Sequence, residues 1–312
     1  MSNVVLILDL TEIMKMKNYY EGFLAEKNPP GSVFSAKTKS CVITAYKSGK
    51  VLFQGANSEE ESKRWGNVPQ KQEKAALRKT SGSSLPPNIG SLSAIGSDEV
   101  GTGDFFGPIT VVAAYVKKED IPLLKELGVR DSKDLNDEKI IAIARQIKNI
   151  IPHSLLTLHN EKYNQMQQSG MSQGKLKALL HNQAIGHVLK KIAPIKPEAI
   201  LIDQFVQAST YYQHLKGQKQ IIKENVFFST KAEGVHIAVA AASILARYAF
   251  VQYFEKLSQA AGFKIPKGAG AQVDQAAAKL ILQKGREVLP KFVKLHFANT
   301  DKALNLVRKK RG

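Results

Sequence analysis

The stretch that most restricts the fold is SAIGSDEVGTGDFFGPITVVAAYV, Ser93 to Val116. A short apolar run, two adjacent acids (Asp98 and Glu99) and a Gly-x-Gly turn lead into a second apolar run rich in β-branched residues. Short apolar runs bounded by glycine predict two neighbouring strands buried in a sheet. Ionised carboxylates at the end of a buried strand are costly unless positive charge meets them. The nearest basic residues, Lys117 and Lys118, lie beyond the second strand, so the counter-charge has to come from elsewhere. Neighbouring strand residues also face opposite sides of a sheet unless a bulge intervenes, and the Gly101-Thr102-Gly103 turn offers room for such a deviation.

Downstream, DEKIIAIARQIKNI predicts a helix, SLLTLHN a strand, GKLKALLHNQAIGHVLKKI a helix, EAILIDQF a buried strand central in the sheet, and ENVFFST another strand. The Ala-rich VHIAVAAASILARYAFVQYFEKL predicts a long helix apolar on several faces, and shorter helices around DQAAAKLILQKG and PKFVKLHF finish the chain. Strands first, then alternating helices and strands, give an α/β domain with a mixed sheet. Upstream, NVVLILDL is followed by a helix from Thr11. SVFSA, SCVITAY and KVLFQG alternate as strands, with a hairpin at Lys47-Ser48-Gly49-Lys50. NSEEESKRW reads as a helix start capped by Asn57 or Ser58. Arg78 to Ser93, RKTSGSSLPPNIGSLS, is rich in Ser, Gly and Pro and reads as a linker between domains at 1–77 and 94–312.

Charge narrows the class of partner. The formal net charge is +18, which favours polyanions (nucleic acid, an acidic membrane surface or acidic proteins), although solubility alone also accounts for such a charge. The only basic tail is the C-terminal RKKRG. Apolar runs reach about ten residues, too short to cross a bilayer, and a signal-peptide pattern is lacking, so no membrane partner is expected. The single cysteine, Cys41, excludes an internal disulfide framework and a Cys-based zinc site, and an intracellular, cytoplasmic setting follows.

Four acids then stand out. Asp98 and Glu99 end or interrupt one strand, Asp203 closes the apolar run AILI, and Glu233 precedes the long Ala-rich helix. Taken singly, each fits a turn, a cap or a helix-start charge. Together they are what a hard-cation site requires, oxygen ligands converging from separate segments. Lys231 is enough for one of them and not for four, which points to Mg²⁺ or Mn²⁺ and a phosphodiester substrate. Gly101, Gly103 and Gly107 depart from the dinucleotide fingerprint by one position, are followed by a strand, and lack a GK[ST] ending. Close backbone approach to a ligand, or a plain hairpin turn, remains.

IGSDEVGTGDFFGPITVVAAYV, RDSKDL, LIDQF and TKAEGVHIAVAAASILARYAF together resemble bacterial ribonuclease HIII, of the type 2 ribonuclease H group, from about Ala94 to the C-terminus. The resemblance implies a ribonuclease H-like mixed sheet flanked by helices and a metal-dependent carboxylate site of Asp98, Glu99, Asp203 and Glu233. It implies endonucleolytic cleavage of the RNA strand of RNA/DNA hybrids, leaving 5′-phosphate and 3′-hydroxyl ends. The Gly101-Thr102-Gly103 turn would meet the minor groove, where 2′-hydroxyls are displayed, and Ser132 and Lys133 of DSK would lie near phosphates. Threonine inside the turn and Glu at 233 look like the HIII form; incision at single ribonucleotides, as by ribonuclease HII, and non-catalytic hybrid binding are the alternatives.

SCVITAYKSGKVLFQGANSEEESKRW is similar to half of a TATA-binding-protein fold, as found appended to ribonuclease HIII. That likeness implies a small N-terminal α+β domain whose sheet binds the hybrid, with Lys37, Lys39, Tyr46, Lys47 and Lys50 as candidate contacts. A monomer is expected. His236 is expected to be structural, and Arg247 and Tyr248 are not separable from helix packing.

Overall fold

The computed structural model describes residues 2–26, 28–29, 31–47, 49–66 and 85–311. Positions 78–84 of the predicted linker, Ser48 of the predicted hairpin and Gly312 lie outside the described residues. The chain divides into two compact units, Met1–Leu77 and Arg78–Gly312.

In the first unit, β1 (Ser2–Ile7), α1 (Leu10–Tyr19), β2 (Ser32–Lys37), β3 (Cys41–Tyr46), β4 (Lys50–Gly55) and α2 (Ser58–Lys63) follow one another. The strands form an antiparallel sheet in the order β1-β4-β3-β2. Helix α1 starts where Asp9 accepts the backbone N–H of Glu12 at 2.8 Å, satisfying one of the free donors of the first turn. Alternate strand residues Phe34, Ala36, Ile43, Ala45, Val51 and Phe53 pack with Ile13 and Met16 of α1. Strand alternation therefore sends Ser35, Lys37, Thr44, Tyr46 and Lys50 to the opposite face. At α2, Asn57 occupies the N-cap position but makes no side-chain cap bond, while Glu59, Glu60 and Glu61 fill the first turn.

The second unit runs β5 (Ala94–Val100), β6 (Ile109–Val116), α3 (Ile121–Glu126), α4 (Asp137–Ile147), β7 (His153–Leu158), α5 (Asn160–Gln168), α6 (Gln173–Ile192), β8 (Ala199–Asp203) and α7 (Ala208–His214). It continues with β9 (Val226–Ser229), α8 (Ile237–Ala261), α9 (Ala271–Lys284), α10 (Leu289–Phe292) and α11 (Asn299–Arg311). The sheet order is β7-β6-β5-β8-β9. Strands β7, β6 and β5 pair antiparallel, whereas β5, β8 and β9 pair parallel, giving a mixed, ribonuclease H-like sheet. The middle strand is β5, and β8 lies beside it rather than at the centre.

Each sheet face has its own core. Val112, Ala114 and Val116 of β6 meet α3, α4 and α8 on one face. Ile95, Ile109, Val111, Ile200 and Ile202 meet α6 and α7 on the other. Helix α8 is 25 residues long and apolar enough to cross a membrane by length and composition, unlike the short runs expected from sequence. A helix apolar all round belongs in an interior, and two-thirds of its most apolar window is buried within the chain. Its backbone approaches β5 so closely that a Cβ on Gly96 would stand 2.2 Å from the carbonyl carbon of Ala238. Only glycine permits that contact.

Several segments differ from expectation. The basic C-terminus is the end of helix α11, held by buried Ala303 and Val307, and not a tail. Helix α10 stops at Phe292, because Val293 turns extended and bridges Phe106. Helices α3, α5 and α7 were not read from the sequence; α5, NEKYNQMQQ, is so polar that it carries little apolar stripe.

Candidate active site

The β5–β6 register runs without interruption through Asp98↔Val112 and Glu99↔Val111. With no bulge to turn the chain, the two acids face opposite sides of the sheet. Asp98 shares its face with Gly96, against α8. Asp203 ends β8 on the same side, two residues beyond Leu201, which packs there with Ala94 and Val239. Glu233 arrives from a 3₁₀ turn, Ala232–Gly234, immediately before α8. Asp98, Asp203 and Glu233 thus converge on the α8 side, and Glu99 lies on the α6 side.

Each acid has its own partners. Asp98 is buried, and burial together with the charges of Glu99 and Asp203 pushes its carboxyl up to about 8. Hydrogen bonds from Ser243 and from the Glu99 N–H (2.7 Å) oppose the rise without cancelling it. Burial also raises Asp203, although the Ala232 N–H donates to its Oδ1 at 2.8 Å; the charges of Glu233 and Glu99 add to the rise. Glu233 Oε1 pairs with the Lys133 ammonium, and its Oε2 is buried with no hydrogen-bond partner.

Glu99 is different. Lys177 Nζ donates to Oε1 at 2.8 Å and His181 Nε2 lies 2.8 Å from Oε2. A carboxylate only accepts, so His181 Nε2 carries the hydrogen. Burial pushes Glu99 up, but His181 and Lys177 outweigh it and hold the carboxyl below its usual range. Both partners are themselves fixed by Phe205: Lys177 Nζ sits 4.1 Å from the ring centroid and His181 stacks at 5.1 Å. Ser97 Oγ lies 2.7 Å from His181 Nδ1. These are the counter-charges that the neighbouring sequence lacks. They lie 78 and 82 residues away, a Lys and a His one helical turn apart on a helix that carries other polar residues, so no local signal set them apart.

The other expected site residues fall around this centre. Ser132 is buried at a 3₁₀ turn, with its Oγ 2.8 Å from that of Ser243, so the DSK segment and Asp98 share one hydroxyl neighbour. Lys133 is mostly exposed, with its ammonium on Glu233. Arg247 holds the same turn to α8, donating to Ser132 O and to Asp137 at 2.9 Å. Tyr248 has Lys148 Nζ 6.0 Å from its ring centroid. His236 caps α8: its Nδ1 accepts from Ala238 N–H at 2.9 Å and its Nε2 lies 3.1 Å from Leu92 O, a structural role. Gly101 takes φ +97°, and a Cβ there would meet Pro108 O at 2.2 Å. Thr102 O accepts from Gln173 Nε2 at 3.1 Å, and Gly103 is exposed. In the N-terminal unit Lys37, Lys39 and Lys47 are exposed, and Tyr46 and Lys50 are half-buried.

Among the described residues no three His, Cys, Asp or Glu side chains stand together as a finished metal cluster. What is assembled is a set of carboxylates within mutual electrostatic reach, one with an unpartnered buried oxygen. That donor set is all oxygen, as Mg²⁺ and Mn²⁺ prefer, and it fits a hard cation.

Comparison with known proteins gives the family. The family model described as Ribonuclease HII matches residues 95–300, and a domain of unknown function (DUF3378) matches residues 3–77. Ribonuclease HIII of Bacillus anthracis is 60% identical, over 99% of this chain and 100% of its own length. A crystal structure of Bst-RNase HIII in complex with Mn²⁺ is 47% identical, with a TM-score of 0.70, covering 99% of this chain and 100% of that one. Aquifex aeolicus RNase H3, at 24% identity and a TM-score of 0.54 over 94% of this chain and 99% of its own, shares the fold. The chain belongs to the ribonuclease HIII family of ribonuclease H endonucleases.

Proposed function

We propose that the chain cuts the RNA strand of RNA/DNA hybrids at a divalent-cation site held by Asp98, Asp203, Glu233 and Glu99. The observation that carries the reading is the convergence of Asp98, Asp203 and Glu233 on one face, with Glu233 Oε2 buried and unpartnered. When bound, Mg²⁺ or Mn²⁺ supplies positive charge to an attacked phosphodiester and makes water acidic enough to be a nucleophile near neutral pH. Water adds to phosphorus, the bond to the 3′-oxygen breaks, and that oxygen takes up a proton, leaving 5′-phosphate and 3′-hydroxyl ends.

The chain's own residues have separate tasks. Asp98 and Asp203 are the central ligands. Glu233 shares its charge with Lys133, whose exposed ammonium, while paired with Glu233, keeps an open side for an incoming phosphate. Lys177 and His181 fix the orientation of Glu99, as hydrogen bonds to ligating carboxylates commonly do. The Gly101-Thr102-Gly103 turn faces the ribose hydroxyls, and Ser132 places Lys133. The protein acts as a cytoplasmic monomer.

The test is a labelled hybrid incubated with and without Mg²⁺ or Mn²⁺, with product ends mapped. Internal cuts in RNA that require the cation and carry 5′-phosphates are expected. Cleavage confined to a single ribonucleotide in DNA identifies a ribonuclease HII-type activity, and binding without cation-dependent cleavage identifies a non-catalytic protein.

The N-terminal unit is proposed to bind the hybrid through the sheet face carrying Lys37, Tyr46 and Lys50, with Lys39 and Lys47 in its turns. Deleting residues 1–80 is expected to weaken hybrid affinity on the order of tenfold, and to flatten its salt dependence, while the remaining unit still cuts. Equal affinity of the two proteins at matched salt removes that role.

A further inference from the structure

Lys294 is fully buried, and among the described residues no carboxylate pairs with it. Its ammonium donates instead to two backbone carbonyls, Asp104 O at 2.7 Å and Gly107 O at 2.6 Å. Its own N–H donates to Phe105 O at 2.9 Å. One residue therefore grips both ends of the segment 104–107, which follows the glycine turn. An enclosed ammonium held by backbone carbonyls, with only the charge of Asp104 nearby to favour it, is expensive, and an unbranched apolar side chain would fill the same space without that cost. Packing alone does not account for it.

The hydrogen bonds of the turn show what the grip achieves. Gly101 O accepts from Asp104 N–H at 3.4 Å, and Thr102 O accepts from Gln173 at 3.1 Å. Phe105 N–H donates to Gly268 O and Gly107 N–H to Phe292 O, both at 2.9 Å, and Asp104 Oδ1 accepts from Gly268 N–H at 2.6 Å. The carbonyls of Gly101, Thr102, Asp104, Phe105 and Gly107 are thus all engaged within the protein. Among the described residues, the N–H groups of Thr102 and Gly103 donate to no protein acceptor. A Cβ at Gly103 would meet no protein atom within 4 Å, so its outer side is bare. A turn with its acceptors tied inward and its donors facing out suits phosphate or hydroxyl oxygen.

We infer that Lys294 is a positioning residue for substrate recognition: by drawing the 104–107 carbonyls inward it holds the Thr102 and Gly103 N–H groups toward the ribose and phosphate oxygens of the RNA strand. The inference rests on the proposed hybrid cleavage, and the wild-type protein tests that separately in the same assay. If wild type does not cleave hybrid, the proposed function fails; if Lys294→Met behaves as wild type, only this inference fails.

In the full-length protein, Lys294→Met is expected to raise KM for hybrid about tenfold with kcat within about threefold. Binding of a labelled RNA/DNA hybrid and of a DNA duplex of the same sequence, measured by anisotropy in chelator, separates positioning from mere stability. Recognition of RNA through its 2′-hydroxyls means that hybrid affinity falls further than DNA affinity. A purely structural lysine would lower the melting temperature and leave the hybrid-to-DNA ratio where it was. Should Lys294→Met not fold, Lys294→Gln keeps an N–H donor in the same enclosure and is expected to shift the ratio in the same direction, by less. An unchanged ratio in a folded variant overturns the inference.

Discussion

Asp98→Asn is expected to lower hybrid cleavage by at least about a thousandfold in Mg²⁺, because a neutral amide oxygen is a poor ligand for a hard cation. The substitution keeps the size of the side chain and removes the charge that burial and two neighbouring acids already disfavour. Folding is therefore retained, and hybrid affinity should stay within about twofold, since phosphate contacts elsewhere dominate it. Asp203→Asn, on the same face, is expected to behave alike. Single-turnover cleavage of a labelled hybrid, with binding measured in parallel, reads both quantities. Turnover at the wild-type rate by either variant would refute the assignment of the site.

The second large effect concerns pH and stability. An unfolded Asp titrates near 3.8, whereas burial and the charges of Glu99 and Asp203 place Asp98 at about 8 in the folded chain. Between those values the folded protein holds a proton that the unfolded chain has released. Stability from this group is fully present below about pH 4 and is lost as pH rises toward 8. The full span corresponds to a loss of up to about 6 kcal/mol. Urea unfolding in chelator from pH 5 to pH 8 should show the decline in wild type and a much shallower one in Asp98→Asn. Glu99, held low by His181 and Lys177, acts in the opposite sense and at lower pH, and it is common to both proteins. Mn²⁺ should flatten the wild-type slope by supplying the missing positive charge. Parallel slopes in chelator for the two proteins would show that Asp98 does not carry this proton.

The parts of the fold that were legible in the sequence are those whose burial imposes a period. Strands β3 and β4 alternate, the apolar runs of β5, β6 and β8 are short and bounded, and α4 carries a clear apolar stripe. Helices α5 and α7 are hard to read because their residues are mostly polar, with Asn160, Tyr163 and Asn164 buried in α5 and Tyr211 in α7. The end of α11 reads as a tail because Arg308, Lys309 and Lys310 mask a helix anchored just before them by Val307, and one turn earlier by Ala303. In the site, Asp98, Asp203 and Glu233 were legible because a carboxylate at the end of an apolar segment is conspicuous. Lys177, His181 and Ser243 were not, since each looks like an ordinary helix residue until the fold brings it to an acid. Lys294 is the extreme case, with its two carbonyl partners 190 and 187 residues away.

The unbroken pairing of β5 with β6 makes the sheet a partition between Asp98 and Glu99 of the proposed site. Asp98 answers to α8 and Glu99 to α6, so the two neighbours in sequence are governed by separate interiors. A change in the packing of one layer therefore reaches one carboxylate directly and the other only through charge, because Glu99 still helps raise Asp98 across the sheet. Two adjacent acids thus keep separate packing partners while remaining joined by charge, an arrangement that side chains sharing one face would not have.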